Sequence, residues 1–419
     1  MCDLFVYATL EEYVSYNMVS VDRGTAIGRA STNFAKNCTR EPWLLVFGFP
    51  KSCWRRRCPW RDETASHRAC PNGGVSLAIW AVARASGRSR RSVQPMRAQV
   101  LTQETGPSGL QLQDKPDPVP APGMPVIDVK ACGVCFPDVL ITQGKYQLRP
   151  EVPFTPGTEV AGVVSAVAEG ETAVKVGDRV LATAMVGGFA EKTVAPTQMM
   201  LPLPDELSFA EGAALGINYQ TSYFALKIRA NLQPGETVLV LGSAGGIGVS
   251  TIQVAKAMGA NVIAVVHRTG ATEMLEGLGA DHVVQLEEGW GERVKELTGG
   301  SGAEVVIDPV GGDVFDEALR QTKRGGRYVI IGFAAGGIPT VKINRILFRN
   351  IALMGAAWGE WIRTDIGEVE RIQAGLNVMI TDGLRPPVSV RYALEELPQA
   401  IADLADGKIR GKAIISIAD

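Results

Sequence analysis

Histidine is scarce in this chain: there are three in 419 residues, and only His267 and His282 follow residue 95. A catalytic zinc takes three protein ligands, and a structural one takes four. The C-terminal three quarters of the chain are therefore poorly equipped for either, and no metal site is expected. Cysteine is nearly as rare there. Cys132 and Cys135 are the only two after residue 95, which excludes a disulfide framework and fits a reducing compartment. No stretch reaches the roughly 18 uninterrupted apolar residues of a membrane span. The start carries Asp3, Glu11 and Glu12 where a leader would have a basic segment and then an apolar one. A cytoplasmic protein without a membrane partner is expected. The formal net charge of −2 gives no field that would draw the whole chain to nucleic acid, and no such partner is expected either.

Apolar residues make up 46% and charged residues 21%, the balance of an ordinary globular protein. That average joins two compositions. Residues 1–95 hold twelve Arg, two Lys and seven acids, whereas residues 96–419 hold 28 basic and 37 acidic residues. The first stretch shows neither a period of 2 nor one of 3.6. Its Cys53, Cys58, His67 and Cys70 follow no usual zinc-finger spacing, and its Arg cluster lacks a folded element to present it to nucleic acid. Residues 1–95 are predicted to be a non-domain extension, upstream sequence translated from an early start.

From Met96 the pattern becomes orderly. Strands are predicted at Arg97–Leu101, Val126–Cys132 and Glu159–Val167. A turn at Lys175–Asp178 feeds another, and Gly188–Val194 follows. Short strands with Gly and Pro punctuation indicate a barrel-like β unit. After Pro204 the period changes. Phe209–Leu226 has helical spacing, and six strands then alternate with crossovers, at 237–241, 261–266, 282–285, 304–308, 327–332 and 351–355. This is the pattern of a doubly wound parallel sheet. The tail from Pro386 to Ile417 shows two strand-like runs around a helix at Leu394–Leu404.

Two motifs carry chemistry. Strand 237–241 runs into Gly242-Ser243-Ala244-Gly245-Gly246-Ile247-Gly248 and then a helix. Such a turn lets the backbone approach a pyrophosphate while the helix N-terminus offers it free N–H groups. The spacing is G-x-x-G-x-x-G, and the strand, turn, helix and next strand occur in the order a dinucleotide site requires. At the end of the second strand an acid would accept hydrogen bonds from the ribose of NAD. This chain has His267-Arg268-Thr269 instead. Arg268 can pair a 2′-phosphate through its planar donors, so NADPH is the expected cofactor. Cys132 and Cys135 form a C-x-x-C pair that could be a redox dithiol or half a zinc site, but neither has supporting residues. Cys132 reads most simply as a small buried hydrophobe.

Residues 96–419 resemble the medium-chain dehydrogenase/reductase superfamily, and within it the zinc-free quinone oxidoreductase branch. The resemblance rests on Ala131–Asp138, Pro153–Glu159, Val176–Val180, the Gly242–Gly248 turn, Asp308–Phe315, Gly326–Phe333 and Gly407–Lys412, in that order and spacing. Zinc-dependent members carry Gly-His-Glu where this chain has Gly157-Thr158-Glu159. The similar quinone reductases often carry Asn at the place of Cys135 and Tyr at that of Leu140. The resemblance implies that Asn218 and Thr221 lie beside the nicotinamide, that Gly332-Phe333-Ala334 touches the cofactor, and that Cys135 lines the substrate pocket. The candidate catalytic residues are Cys135, Tyr146 and Thr221.

The expected architecture is α/β. A GroES-like β-barrel catalytic domain spans residues 96–212 and receives the tail 357–419, and a doubly wound Rossmann domain, 213–356, is inserted into it. The expected function is NADPH-dependent, metal-free hydride transfer to a quinone or another conjugated carbonyl. Alternatives are an enoyl-thioester reductase and a non-catalytic NADPH- or RNA-binding protein on the same fold. The sixth strand, Ile351–Gly355, is the last of its sheet and has neither Pro nor Lys to protect it. A homodimer through this edge is expected, burying side chains around Phe348 and Trp358.

Overall fold

The computed structural model describes residues 95–417; the expectation for residues 1–95 lies, apart from Pro95, outside the described residues. β1 (Met96–Leu101) pairs antiparallel with β2 (Leu110–Lys115). β3 (Val126–Val134) leads directly into α1 (Phe136–Thr142), where Pro137 occupies the first turn, the one place in a helix at which its missing N–H costs nothing. Then come β4 (Glu159–Ala166), β5 (Arg179–Thr183), β6 (Lys192–Val194) and β7 (Met200–Pro202).

α2 (Phe209–Tyr223) opens on a capping box. Glu211 N–H donates to Ser208 Oγ, and Ser208 N–H donates to Glu211 Oε2 at 2.8 Å. This helix is buried along most of its length and carries the chain into the second unit, made of β8 (Thr237–Val240), α3 (Gly246–Ala257), β9 (Asn261–Val266), α4 (Thr272–Gly277), β10 (His282–Gln285), α5 (Trp290–Leu297), β11 (Ala303–Asp308), α6 (Phe315–Gln321), β12 (Thr322–Ile330), α7 (Ile343–Arg349) and β13 (Ala352–Gly355). The strands lie in the order β10-β9-β8-β11-β12-β13, every pair parallel. Helices cover both faces, so the central strands are continuous apolar runs such as Val238-Leu239-Val240 and Val305-Val306-Ile307, all fully buried. The strand order reverses beside β8, the switch point at which such sheets bind ligands.

α8 (Trp358–Ile362) and α9 (Glu368–Thr381) follow. The apolar face of α9 (Val369, Ile372, Leu376, Ile380) packs in one core with α2 and β8. The chain rejoins the barrel sheet as the strand β14 (Val388–Ala393). After a 3-10 turn come α10 (Leu397–Ala405) and β15 (Lys412–Ser416). The first unit's sheet has the order β14-β15-β3-β4-β5-β7, with β6 paired to β3. Two registers matter for the site: Gly133 on β3 lies opposite Glu159 of β4 on one side and Ile414 of β15 on the other. No helix among the described residues is long and apolar enough to cross a membrane.

Candidate active site

Gly242 takes a positive φ of 60° to turn the chain off β8. Gly246 is compelled by space: a Cβ there would stand 2.4 Å from Asn218 Nδ2. Gly245 caps α3 without any side-chain bond, which leaves the first N–H groups of the helix for an anion. Ser243 is buried and donates to Val240 C=O at 2.7 Å, fixing the turn from beneath. The turn is held from the other unit as well, by Gly411 N–H donating to Ala244 C=O at 2.8 Å. Ile247 and Gly248 form the first turn of α3, and Gly248 lies directly against Ser243.

At the end of β9, His267 is exposed and Arg268 half-buried. Arg268 donates to Ile409 C=O. Arg410 donates to Gly270 C=O at 2.9 Å and to Thr269 C=O at 3.1 Å. Burial, and then the charge of Arg410, hold Arg268 below the usual guanidinium range. Among the described residues neither arginine forms an ion pair with a carboxylate. A pair of convergent guanidiniums on open backbone fits a phosphate better than it fits a ribose hydroxyl pair.

The cleft beside the turn is narrow and lined by Ala214, Asn218, Gly246, Val249, Gly411 and Lys412 among others. Behind it lies a buried cluster of which the sequence singles out Cys135 alone. Lys412 Nζ donates to Glu159 Oε2 at 2.7 Å and to Cys135 Sγ at 3.0 Å, and Cys135 Sγ–H donates to Glu159 Oε2 at 3.1 Å. Glu159 Oε1 accepts Ile217 N–H of α2 at 2.8 Å. Asp138 Oδ2 accepts Cys135 N–H at 2.8 Å, while its Oδ1 has no partner among the described residues. Lys412, Glu159 and Asp138 are 4%, 2% and 0% exposed. Burial pushes the Asp138 carboxyl up to about 7, Cys135 N–H and Lys412 pull it back, and Glu159 raises it further. Burial also pushes the Cys135 thiol up. For Lys412 burial acts to lower the affinity for the proton, but Cys135 and Glu159 outweigh it and hold the ammonium above its usual range.

Gly133 makes the cluster possible. A Cβ there would lie 2.4 Å from Ala213 C=O, 2.8 Å from Lys412 Cε and 2.9 Å from Glu159 Oε2. Cys135, expected to line the pocket, is instead enclosed by Lys412 and Glu159, 5% exposed. Tyr146 is half-buried, and burial first, then Cys135 and Asp138, push its hydroxyl up. Thr221 is buried one turn along α2 from Asn218. Phe333 is 39% exposed at the end of β12, with Gly332 and Ala334 bonded back to Asp308 and Pro309. Thr158 donates weakly to Met185 C=O, and among the described residues no group of three His, Cys, Asp or Glu could hold a metal ion. A wider groove of about 500 Å³, lined by Tyr223, Gln253, Leu278 and Met379, lies away from the glycine turn and carries none of this machinery.

A parallel sheet with its glycine turn facing a β-barrel across a cleft defines the class: a two-domain dehydrogenase/reductase. The model for the alcohol dehydrogenase GroES-like domain matches residues 121–205, and that for the zinc-binding dehydrogenase matches residues 246–374. Quinone oxidoreductase-like protein 2 of Bos taurus is 37% identical over 294 residues, covering 70% of this chain and 84% of that protein. The chain belongs to the medium-chain dehydrogenase/reductase superfamily, in its quinone oxidoreductase branch. Among solved structures, a probable oxidoreductase from Mycobacterium abscessus is 48% identical with a TM-score of 0.72, covering 78% of this chain and all of that one. The Escherichia coli quinone oxidoreductase complexed with NADPH is 28% identical with a TM-score of 0.71, covering 76% of this chain and 99% of that one.

Proposed function

We propose that the protein is a cytoplasmic, NADPH-dependent reductase of quinones or other conjugated carbonyls that works without a metal. One observation carries this reading: the polar machinery beside the glycine turn is the protein's own ammonium, carboxylate and thiol, with Thr158 standing where zinc-dependent relatives place histidine. NADPH when bound supplies the hydride. The relatives' names and the NADPH complex of the E. coli enzyme support the assignment.

Each part of the chain then has a task. The first turn of α3 binds the pyrophosphate through its N–H groups and dipole. Arg268 takes the 2′-phosphate. Asn218, against the glycine turn, and Thr221 one turn further along α2 position the nicotinamide, and Phe333 covers its far side. The cleft walls exclude water and hold the acceptor within hydride reach. Tyr146 orients the acceptor. A conjugated carbonyl suits such a site because its own π system spreads the charge that develops on reduction, so less is asked of the protein. The deciding experiment follows NADPH oxidation with a panel of quinones, enones and enoyl-thioesters. Turnover of quinones or enones, undiminished by chelators, is expected. Turnover confined to enoyl-thioesters, or none with any acceptor, would overturn the reading.

We further propose a homodimer through β13. Ile343, Leu347 and Phe348 are 68–75% exposed beside this unpaired edge, and Leu353 on it is 37% exposed. Trp358, expected to join that interface, is instead 6% exposed and packs on Phe224, ring centroids 5.3 Å apart. The contact is therefore centred on α7 and β13.

A further inference from the structure

An ammonium group carries three N–H donors and no acceptor. Lys412 spends two of them, on Glu159 and Cys135, and the third has no acceptor among the described residues. Lys412 is nevertheless almost fully buried, and it lines the narrow gap beside Asn218 and Gly246. A buried donor left unpaired is costly, and a buried ion pair seldom repays its own desolvation. The fold spends further constraints on keeping this charge in place. Gly133 gives up its side chain to make room for it, and Ile217 N–H pins the far oxygen of Glu159. An unpaired, positively charged donor in the wall beside the cofactor turn is what a developing oxyanion would require.

We propose that Lys412 is a catalytic residue whose free N–H donates to the carbonyl oxygen of the acceptor and whose charge stabilises the oxyanion formed there. The proposal rests on the reading of the protein as a carbonyl-directed reductase. On reduction, hydride adds to the conjugated system and the π electron pair moves onto the carbonyl oxygen. Water protonates that oxygen once the reduced product leaves the site, while Lys412 keeps its own proton. Glu159 from β4 is the counter-charge that keeps it protonated. The other titratable groups around it are Cys135 at the start of α1, Asp138 within α1, Cys132 on β3 and, further out, Tyr146.

The test uses the full chain saturated with NADP⁺ and 4-nitrophenol as a stable mimic of the anionic oxygen. Bound to the unaltered protein, the phenol should ionise at lower pH than it does free, seen as growth of the phenolate band. Lys412→Met should abolish that shift and lower kcat about 100- to 1,000-fold, the usual cost of one oxyanion donor, with the KM for NADPH unchanged. Lys412→Arg should restore part of both. Glu159→Gln leaves the ammonium buried without its counter-charge. Its affinity for the proton then falls, and kcat should decline at alkaline pH where the unaltered protein's does not. That profile also decides the matter if Lys412→Met does not fold. A Lys412→Met enzyme that turns over within threefold of the original and keeps the phenolate shift would overturn the proposal while leaving the reductase reading intact. So would a Glu159→Gln profile as flat as the original. A Lys412-dependent shift in a protein that reduces no acceptor would uphold the oxyanion site and sink the reductase reading.

Discussion

Replacing Arg268 by Ala is the most direct probe of cofactor choice. The guanidinium lies half-buried at the end of β9, with Arg410 close enough to disfavour its charge and no carboxylate partner among the described residues. A phosphate between the two would relieve that repulsion, and each would donate to it through a charge-assisted bond. Such a bond contributes about 1.5–3 kcal/mol, which at about 1.4 kcal/mol per decade is a ten- to hundredfold change in affinity. Arg268→Ala should therefore weaken NADPH binding by that factor and NADH binding by less than about twofold, since NADH has nothing for either arginine to grip. Calorimetry with 2′,5′-ADP and 5′-AMP isolates the effect from the rest of the cofactor. The preference for 2′,5′-ADP should shrink as salt rises, because the site is only half-buried and the charges are screened. Arg268 also donates to Ile409 C=O and so helps to join the two units. Equal losses for both nucleotides would mean that this structural bond is all it does, and the assignment of NADPH would lose its main residue.

Other perturbations reach the remaining parts. Gly133→Ala puts a methyl within 3 Å of Ala213 C=O, Lys412 and Glu159; it should cost about 1–3 kcal/mol as overpacking and lower kcat more than binding, checked by thermal unfolding alongside turnover. Asp138 is raised by burial from 3.8 to about 7, so the folded protein holds that proton more tightly than the unfolded chain does, and stability is lost as pH rises across this window. Asp138→Asn should become progressively more stable than the parent between about pH 4 and pH 7, by up to about 1.4 kcal/mol per unit; equal pH dependence in denaturant titrations would refute this. Leu353→Lys puts a charge on the exposed edge strand, and light scattering should then find monomers where the parent is dimeric; a parent that is itself monomeric at all concentrations would remove the proposed interface. Tyr328→Phe leaves Asp308 Oδ2 buried without the hydroxyl that donates to it at 2.7 Å, and a loss of about 1–3 kcal/mol in stability is expected.

The second unit was the more legible in sequence because its signals are local. A run such as Thr237–Leu241 followed at once by glycines and a helix needs no distant partner to be understood, and the order of six such runs defines the sheet. The barrel's strands were also visible, but β2, Leu110-Gln-Leu-Gln-Asp-Lys, was not named, since its weak alternation of apolar and polar residues becomes a strand only through pairing with β1. Helix α9 escaped because Gly375 interrupts its middle, and the reason for that glycine is tertiary: a Cβ would lie 2.2 Å from the Tyr223 hydroxyl. The site divides in the same way. The glycine turn and Arg268 could be read from neighbours in the chain. Lys412, Glu159 and Cys135 could not be joined, because they are separated by 253 and 24 residues and meet only through the register of β15, β3 and β4. The available signal was Gly411-Lys412 just before an apolar strand, an unusual place for a lysine that is to be buried.

The same strand run would also join the proposed cofactor site to the proposed reaction centre. Residues 407–412 run along the seam between the two units. Ile409 accepts a bond from Arg268, Arg410 donates to Thr269 and Gly270, and Gly411 N–H holds the glycine turn at Ala244. Lys412, the next residue, enters the sheet and carries the buried charge. A phosphate drawn in by Arg268 and Arg410 acts on one end of this six-residue segment, and a shift of Gly411 against the turn acts on the other. The segment begins with Gly407, at φ 69°, where a Cβ would stand 3.0 Å from Arg268, so it can lie close against the arginine it must follow. On the proposed reading, occupancy of the 2′-phosphate site and placement of the ammonium would be two consequences of one short stretch of backbone. Loosening that stretch, for example by Gly411→Ala at its φ of 84° with Ser389 Oγ only 2.5 Å from the new methyl, should weaken discrimination between 2′,5′-ADP and 5′-AMP and lower kcat together. If calorimetry and turnover on that variant showed one falling without the other, the seam would be two independent contacts rather than a single coupling element.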